Sequence, residues 1–169
     1  MIQVKNLSKQ FKAPSEEKGL FGPKKKPFWA VKDLNFEITK GSVASILGPN
    51  GCGKTTTLRM IAGMLTPSRG TAFVDSVDVR KDKQTVKSKI GYMTNNTSLY
   101  DRLSVIETIK FFAELNQIPE EIYKPRADKL FEQLDMHKYL NKRVADLSTG
   151  MKQKTSIVRT LIHDPDLIV

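Results

Sequence analysis

A single cysteine, Cys52, rules out an internal disulfide in this 169-residue chain and suits a reducing compartment such as the cytoplasm. No apolar run approaches the roughly eighteen residues needed to span a bilayer. The opening Met1-Ile2-Gln3-Val4-Lys5 lacks the apolar stretch of a secretion signal, so none is expected. No internal repeat is visible. Acidic residues are also in short supply: 18 Asp and Glu face 28 Lys and Arg, for a net charge of +10. Nucleic acid, anionic lipid headgroups and nucleotide phosphates all suit such a balance. The charge is spread along the chain as on a solvated face, with one dense block at Lys24-Lys25-Lys26 for which lipid headgroups are one candidate contact. With 39% hydrophobic residues, the chain is long enough for one domain with a core.

What is present in full is a phosphate-binding loop. Gly48-Pro49-Asn50-Gly51-Cys52-Gly53-Lys54-Thr55-Thr56 has the spacing G-x-x-x-x-G-K-[ST]. Val43 to Leu47, just before it, reads as a buried parallel strand. Thr56 to Ala62, just after it, reads as a helix that Gly63 stops. Strand, glycine loop and helix together aim free backbone N–H groups at an anion. Glycines let the loop approach phosphate oxygens with no Cβ in the way. Lys54 is expected to reach the β- and γ-phosphates of a nucleotide, and the Thr55 hydroxyl to ligate Mg²⁺. At ordinary glycine usage, a chance match of this spacing in such a chain is roughly a 1% event.

Around the loop the pattern divides in two. Residues 2–11 read as a strand running into a turn at Asn6 to Lys9. Phe11 to Pro27 reads as a loop, rich in proline, glycine and charge. Trp29 to Ile38 alternates like a strand. Short strands are expected at Thr71 to Val74, Val77 to Val79 and Ile90 to Met93. From Ser104 the pattern turns helical. Ser104-Val105-Ile106-Glu107 is a capping box, with Ile106, Ile109 and Ala113 marking one face. A second helix is expected to start near Pro125, with Ala127, Leu130, Phe131 and Leu134 inward. Ser148 caps a third, striped by Ile157, Val158, Leu161 and Ile162 and ended by Pro165. Asp166 to Val169 begins another buried strand. The spacing thus predicts an α/β fold: a β-rich layer with a nucleotide core, then a mostly helical insertion.

These motifs resemble the ATP-binding cassette family, the nucleotide-binding domains of ABC transporters. GPNGCGKTT is similar to its Walker A loop, LSTGMKQK to its LSGGQ signature, GYMTNNTSLYDRLSVIETI to its Q-loop segment, and HDPDLIV to the lead-in to Walker B. They follow the family's order and cover nearly the whole chain. The signature and the SLYDRLSVIETIKFFAEL stretch look most like cassettes of sodium-exporter and ABC-2 type exporters, with a substrate importer as the alternative. The resemblance implies a P-loop NTPase with a RecA-like core, an antiparallel β subdomain and an inserted α-helical subdomain. Residues 1–95 would carry the β subdomain and Walker A core, 96–150 the helical subdomain, and 151–169 the signature helix and the start of the Walker B strand.

The resemblance also implies a clasp. Two cassettes face head to tail and hold ATP between one phosphate loop and the other's signature. The implied nucleotide-binding set is Asn50, Gly51, Cys52, Gly53, Lys54, Thr55 and Thr56 on one copy, with Ser148, Thr149, Gly150 and Met151 on its partner. Ser148 to Met151 suits that task on its own terms, since it sets a serine hydroxyl and free N–H groups at a helix N-terminus. Adenine would stack on an aromatic upstream; Phe11 and Trp29 compete, and Trp29 is favoured because its separation from the loop is nearer the usual one. Catalysis falls to Lys54 and Asn95, and Mg²⁺ to Thr55 and Asn95. Asn95 stands where glutamine is usual, keeping the amide but one methylene shorter. Thr149 replaces a glycine and Met151 a glutamine in the signature.

The family's Walker B aspartate, catalytic glutamate and switch histidine would follow Val169, so the chain is expected to be a fragment, with the C-terminal part of the core missing, that binds ATP without efficient turnover. His137 and His163 read as surface or helix-end residues. Cys52, beside Lys54 at a helix start, is a loop filler with a conceivable redox role. A permease subunit in the membrane is the implied partner, with Leu99, Tyr100 and Leu103 as candidate contacts. That places the protein in the cytoplasm, peripheral on the inner membrane face. A soluble ABC-type ATPase acting on nucleic acid or ribosomes is the competing function; the insertions usual for it are not seen, and no nucleic acid is expected. A module that binds nucleotide without turning it over is a third.

Overall fold

A computed structural model describes the backbone of residues 1–19, 22–93 and 99–169, and the side chains of these residues outside 13–26. The chain divides into two compact units, Met1–Lys87 and Ser88–Val169.

The first unit is built on an antiparallel sheet. Its strands are β1 (Ile2–Gly19), β2 (Gly22–Ile38), β3 (Arg69–Val74) and β4 (Val77–Asp78), in the order β2-β1-β3-β4. Ile2, Val4 and Leu7 of β1 are buried, as are Ala72 and Val74 of β3. From Asp33 to Ile38, β2 alternates exposed and half-buried residues, the period of a sheet covered on one face. Asn6 and Asp33 adopt positive φ, 49° and 48°, where the β1–β2 register shifts. Asn and Asp tolerate this left-handed conformation, and a bulge needs it. Ser8 is fully buried between them; its hydroxyl donates to the Asn6 carbonyl (3.2 Å) and accepts from the Asp33 N–H (2.9 Å).

Two expectations are corrected here. Asn6 to Lys9 is no turn, and residues 11–19 and 22–27 are strand rather than loop. They continue both strands as a two-stranded ribbon whose ladder runs from Phe11↔Phe28 out to Gly19↔Gly22. β3 pairs with β1 only as far as Ser8, so beyond it Pro14, Pro23 and Pro27 sit on strands with an open edge. A missing N–H costs little there. The second correction concerns Val43 to Leu47. It forms no strand, and Val43 and Leu47 are 99% and 89% exposed. Its apolar run specifies burial, but a strand also needs a neighbour for its N–H and C=O groups, and no described strand pairs with it.

Helix α1 (Lys54–Ile61) follows the phosphate loop. Its end is a Schellman motif at Gly63 (φ 66°), with Gly63 N–H on the Met60 carbonyl (3.1 Å) and Met64 N–H on that of Arg59 (2.9 Å). A short helix not anticipated from the sequence, α2 (Lys83–Ser88), begins at Asp82, whose carboxylate accepts the Thr85 N–H (3.0 Å) and hydroxyl (2.6 Å).

The second unit packs three helices, α3 (Val105–Leu115), α4 (Glu120–Gln133) and α5 (Thr149–Leu161), and a parallel pair, β5 (Ile90–Gly91) with β6 (Leu167–Ile168). Its core gathers Val105, Ile109, Phe131, Met136, Val158 and Ile162, all 2% exposed or less. The capping box forms as expected, with Ser104 Oγ accepting from Glu107 N (3.3 Å) and the Glu107 carboxylate from Ser104 N (2.8 Å). Ile106 is not on the inward face; it is 48% exposed, and Val105 and Thr108 take its place. α4 starts at Glu120, not near Pro125, which lies inside the helix. Pro125 and Glu121 are exposed, so water can serve the Glu121 carbonyl that the proline leaves without its helical donor.

Candidate functional site

The phosphate loop is shaped by where it must sit. Gly53 is the N-cap of α1, at φ 97° and ψ 4°. A Cβ there would collide with the Ala30 carbonyl oxygen of β2 and come within 2.9 Å of Val31 Cγ2. Only glycine permits both the dihedral and the approach. Gly53 supplies no side-chain cap, so the first-turn N–H groups of α1 are left for an anion. Lys54 folds back over the loop, its ammonium donating to the carbonyls of Gly48 (2.7 Å) and Pro49 (2.8 Å). Cys52 Sγ lies 4.0 Å from the same nitrogen. Thr55 is exposed at the helix start, beside half-buried Thr56, while Asn50, Gly51 and Cys52 form the exposed crest. One turn therefore gathers a cation, a hydroxyl and a fan of amides, and these residues fit a nucleotide's phosphate tail with its Mg²⁺.

Because Gly53 rests on Ala30, the aromatics of β2 adjoin the loop. Trp29 is half-buried, and the Arg69 guanidinium covers its ring at 5.0 Å. Phe11 pairs across the ribbon with Phe28 at 6.0 Å between ring centroids. They are 36% and 49% exposed, and Lys9 lies 5.4 Å over the Phe11 ring. Phe28 was not singled out from the sequence. Its only signal was position, next to Trp29 and, once the ribbon is known, opposite Phe11.

Signature residues open α5. Ser148 is its N-cap, with Oγ accepting the Met151 N–H at 3.3 Å. Ser148, Thr149 and Gly150 are exposed, and Met151 packs on the helical core. A Cβ on Gly150 would meet nothing within 4 Å, and its φ is not positive. Among the described residues nothing demands glycine there.

Asn95 lies outside the described residues. His137 is exposed; His163, just past α5, has Nε2 3.3 Å from the Ile90 carbonyl, and burial pushes its imidazole below the usual value. Among the described residues no three His, Cys, Asp or Glu side chains cluster as a metal site, and no helix is long and apolar enough to cross a membrane.

Known proteins share this arrangement. A model of the ABC transporter family matches residues 31–169. The ABC transporter ATP-binding protein NatA of Bacillus subtilis is 45% identical over 150 residues, covering 88% of this chain and 61% of NatA. The choline transport ATP-binding protein OpuBA of the same organism is 33% identical over all of this chain and 42% of its own length. In structure, the dimeric bacterial ABC transporter cassette MJ0796 superposes with a TM-score of 0.80 at 25% identity, over 99% of this chain and 72% of that one. The chain thus spans less than two thirds of NatA and of OpuBA, and over that span it belongs to the ABC transporter family, as an ATP-binding cassette with the P-loop NTPase fold.

Proposed function

We infer that this chain binds MgATP as the cassette of an ABC transporter, and that its parent protein hydrolyses ATP to drive transport. The observation that carries this is the Gly53–Lys54 turn: a loop that only glycine can seat on β2, with an ammonium folded over its carbonyls and first-turn helix amides that no side chain caps. Lys54 exchanges its two carbonyl partners for β- and γ-phosphate oxygens. Thr55, through its hydroxyl, and Asn95 would hold Mg²⁺, which would supply positive charge to the phosphates when bound. Asn50, Gly51, Cys52 and Thr56 line the tail.

The clasp is completed by a second cassette, whose Ser148, Thr149, Gly150 and Met151 approach head to tail. Gly150 supports this, since among the described residues nothing lies within 4 Å of where its Cβ would be. Adenine stacks on Phe11 or Trp29: each ring carries a cation over one face, Lys9 at 5.4 Å and Arg69 at 5.0 Å, and Phe11 is the more exposed of the two.

Residues 1–95, 96–150 and 151–169 act as the β-plus-Walker A, helical and signature segments. Tyr100, 52% exposed and edge-on to Phe111 at 5.2 Å, joins half-buried Leu99 and Leu103 in receiving a membrane permease subunit. The cassette then works in the cytoplasm against the inner membrane face. An exporter of the sodium-exporter and ABC-2 type is the reading that the resemblance of LSTGMKQK and SLYDRLSVIETIKFFAEL supports, with a substrate importer as the alternative.

The test is a comparison of MgATP with AMP by thermal unfolding. A ligand at one hundred times its dissociation constant adds about 2.7 kcal/mol. MgATP is expected to raise Tm by several degrees and AMP, without β- and γ-phosphates, to leave it unmoved. Equal shifts would show that recognition lies in the nucleoside and not in this loop.

A further inference from the structure

We propose that the cleft between α3 and α4 is a binding site for a small organic cation with an apolar body, of the aryl-alkylammonium class. The cleft has a cause in the sequence. Along α4, Tyr123, Ala127 and Phe131 recur every fourth residue and so share one side of the helix. All three are buried, and together with Ile109 of α3 they line the cleft. The alanine between two rings leaves the space, about 390 Å³. Small-ligand sites run from roughly 300 to 1,000 Å³. Ile106 extends the apolar wall to the mouth, where it is 48% exposed. An isoleucine at the open end of a cleft buries its surface when an apolar body enters.

Charge selects the ligand. The mouth carries Glu107, Glu120 and Asp128 against Lys110 and Lys124, one carboxylate in excess, on a chain whose net charge is +10. Lys124 is paired with Glu120, and Lys110 lies 3.8 Å from Glu114. Both ammoniums thus have a carboxylate already, and Glu107 and Asp128 add negative charge that they do not balance. The Ser104 N–H and hydroxyl donate to Glu107 at 2.8 and 2.7 Å, both to Oε2, and hold its carboxyl below the usual value. An anionic ligand would be repelled at this mouth, and a small hydrated cation would leave the apolar floor uncovered. An ammonium on an aryl-alkyl body matches both. The cleft is distinct from the face proposed for a permease, since Tyr100 packs on Phe111, which does not line it. It lies wholly within the second unit, so its test stands apart from the nucleotide reading.

The probe is phenylbutylamine, with phenylbutyrate as its anionic counterpart, titrated into the whole chain and followed by backbone amide NMR. Saturable shifts confined to α3 and α4 are expected for the amine, with the carboxylate bound about tenfold more weakly. Ala127→Leu fills the space and is expected to lower affinity for the amine about tenfold or more. Asp128→Lys is expected to lower it about fivefold. The exposed Glu121→Lys makes the same charge change on α4 outside the cleft and is expected to lower it less than about twofold. Circular dichroism and melting verify each fold; if Ala127→Leu does not fold, the surface pair Asp128→Lys and Glu121→Lys decides. Amine and carboxylate of equal affinity, or no saturable binding of the amine, would overturn the proposal. So would a folded Ala127→Leu that binds undiminished, or equal losses in Asp128→Lys and Glu121→Lys. Dimerisation seen by sedimentation equilibrium and lost in Ala127→Leu would assign the cleft to a second copy and overturn it as well.

Discussion

At Lys54 the ammonium is held by two backbone carbonyls rather than by a carboxylate. Carbonyls satisfy its donors without neutralising its charge, so the site stays electropositive and can exchange them for phosphate oxygens. Gly53 and Gly150 illustrate two reasons for a glycine. The first is dictated from inside, by the Ala30 carbonyl; the second meets nothing among the described residues, which is what the proposed clasp with a second cassette draws on. His163 is a different kind of residue, one whose chemistry bears on stability. Burial is the main reason its pKa falls below 6.5. The groups facing it are the Ile90 carbonyl, Arg126, which binds the Ile162 carbonyl at 2.7 Å, and Asp164. The unfolded chain takes up the proton first as pH falls. His163 thus contributes its full stability above the ordinary histidine value and loses it progressively below, towards its folded pKa. Urea midpoints of wild type and His163→Gln at about pH 7.5 and 5.5 test this: wild type should lose more stability on acidification. An equal loss would show His163 is not the group that titrates.

Among the elements, the capping box of α3 gives the clearest local test. Ser104 binds Glu107 through both its backbone N–H and its hydroxyl, and these bonds hold the Glu107 carboxyl below its usual 4.5. A depressed carboxylate contributes stability above its unfolded pKa and loses it as pH falls through the folded value. Ser104→Ala should cost about 1 kcal/mol near neutrality, read by urea unfolding. Its stability should also vary less between pH 5 and 3 than the wild type's does, those pH values bracketing roughly the carboxylate range. No change at either pH would deny the box its role.

The same elements separate what was legible in the sequence from what was not. The Ser104 box, the Ser148 cap and the Gly63 stop are local devices, settled within a few residues, and they were readable. The ribbon beyond Phe11 was not. Its prolines and glycines signal a loop, and only the knowledge that β3 stops at Ser8 reveals an open edge where prolines are harmless. Pro125 misled in the same way: it is a good first-turn residue, but here the helix had begun at Glu120. Val43 to Leu47 erred in the opposite sense, since composition states a wish for burial and not who provides it.

For the whole molecule, the phosphate loop and the signature belong to different compact units, and the family match runs through both. The loop residues Asn50 to Thr56 come together because they are contiguous, and so do Ser148 to Met151. The aromatic edge required folding to become visible, for Phe11 meets Phe28 only across the ribbon. What this chain does by itself rests on Lys54, and a calorimetric titration of MgATP into wild type and Lys54→Ala tests that most directly. The account predicts saturable binding to the wild-type chain, weakened about tenfold or more when the ammonium is removed, with both proteins melting alike in the absence of nucleotide. Undiminished affinity in a folded Lys54→Ala, or no MgATP binding by the wild type, would contradict it.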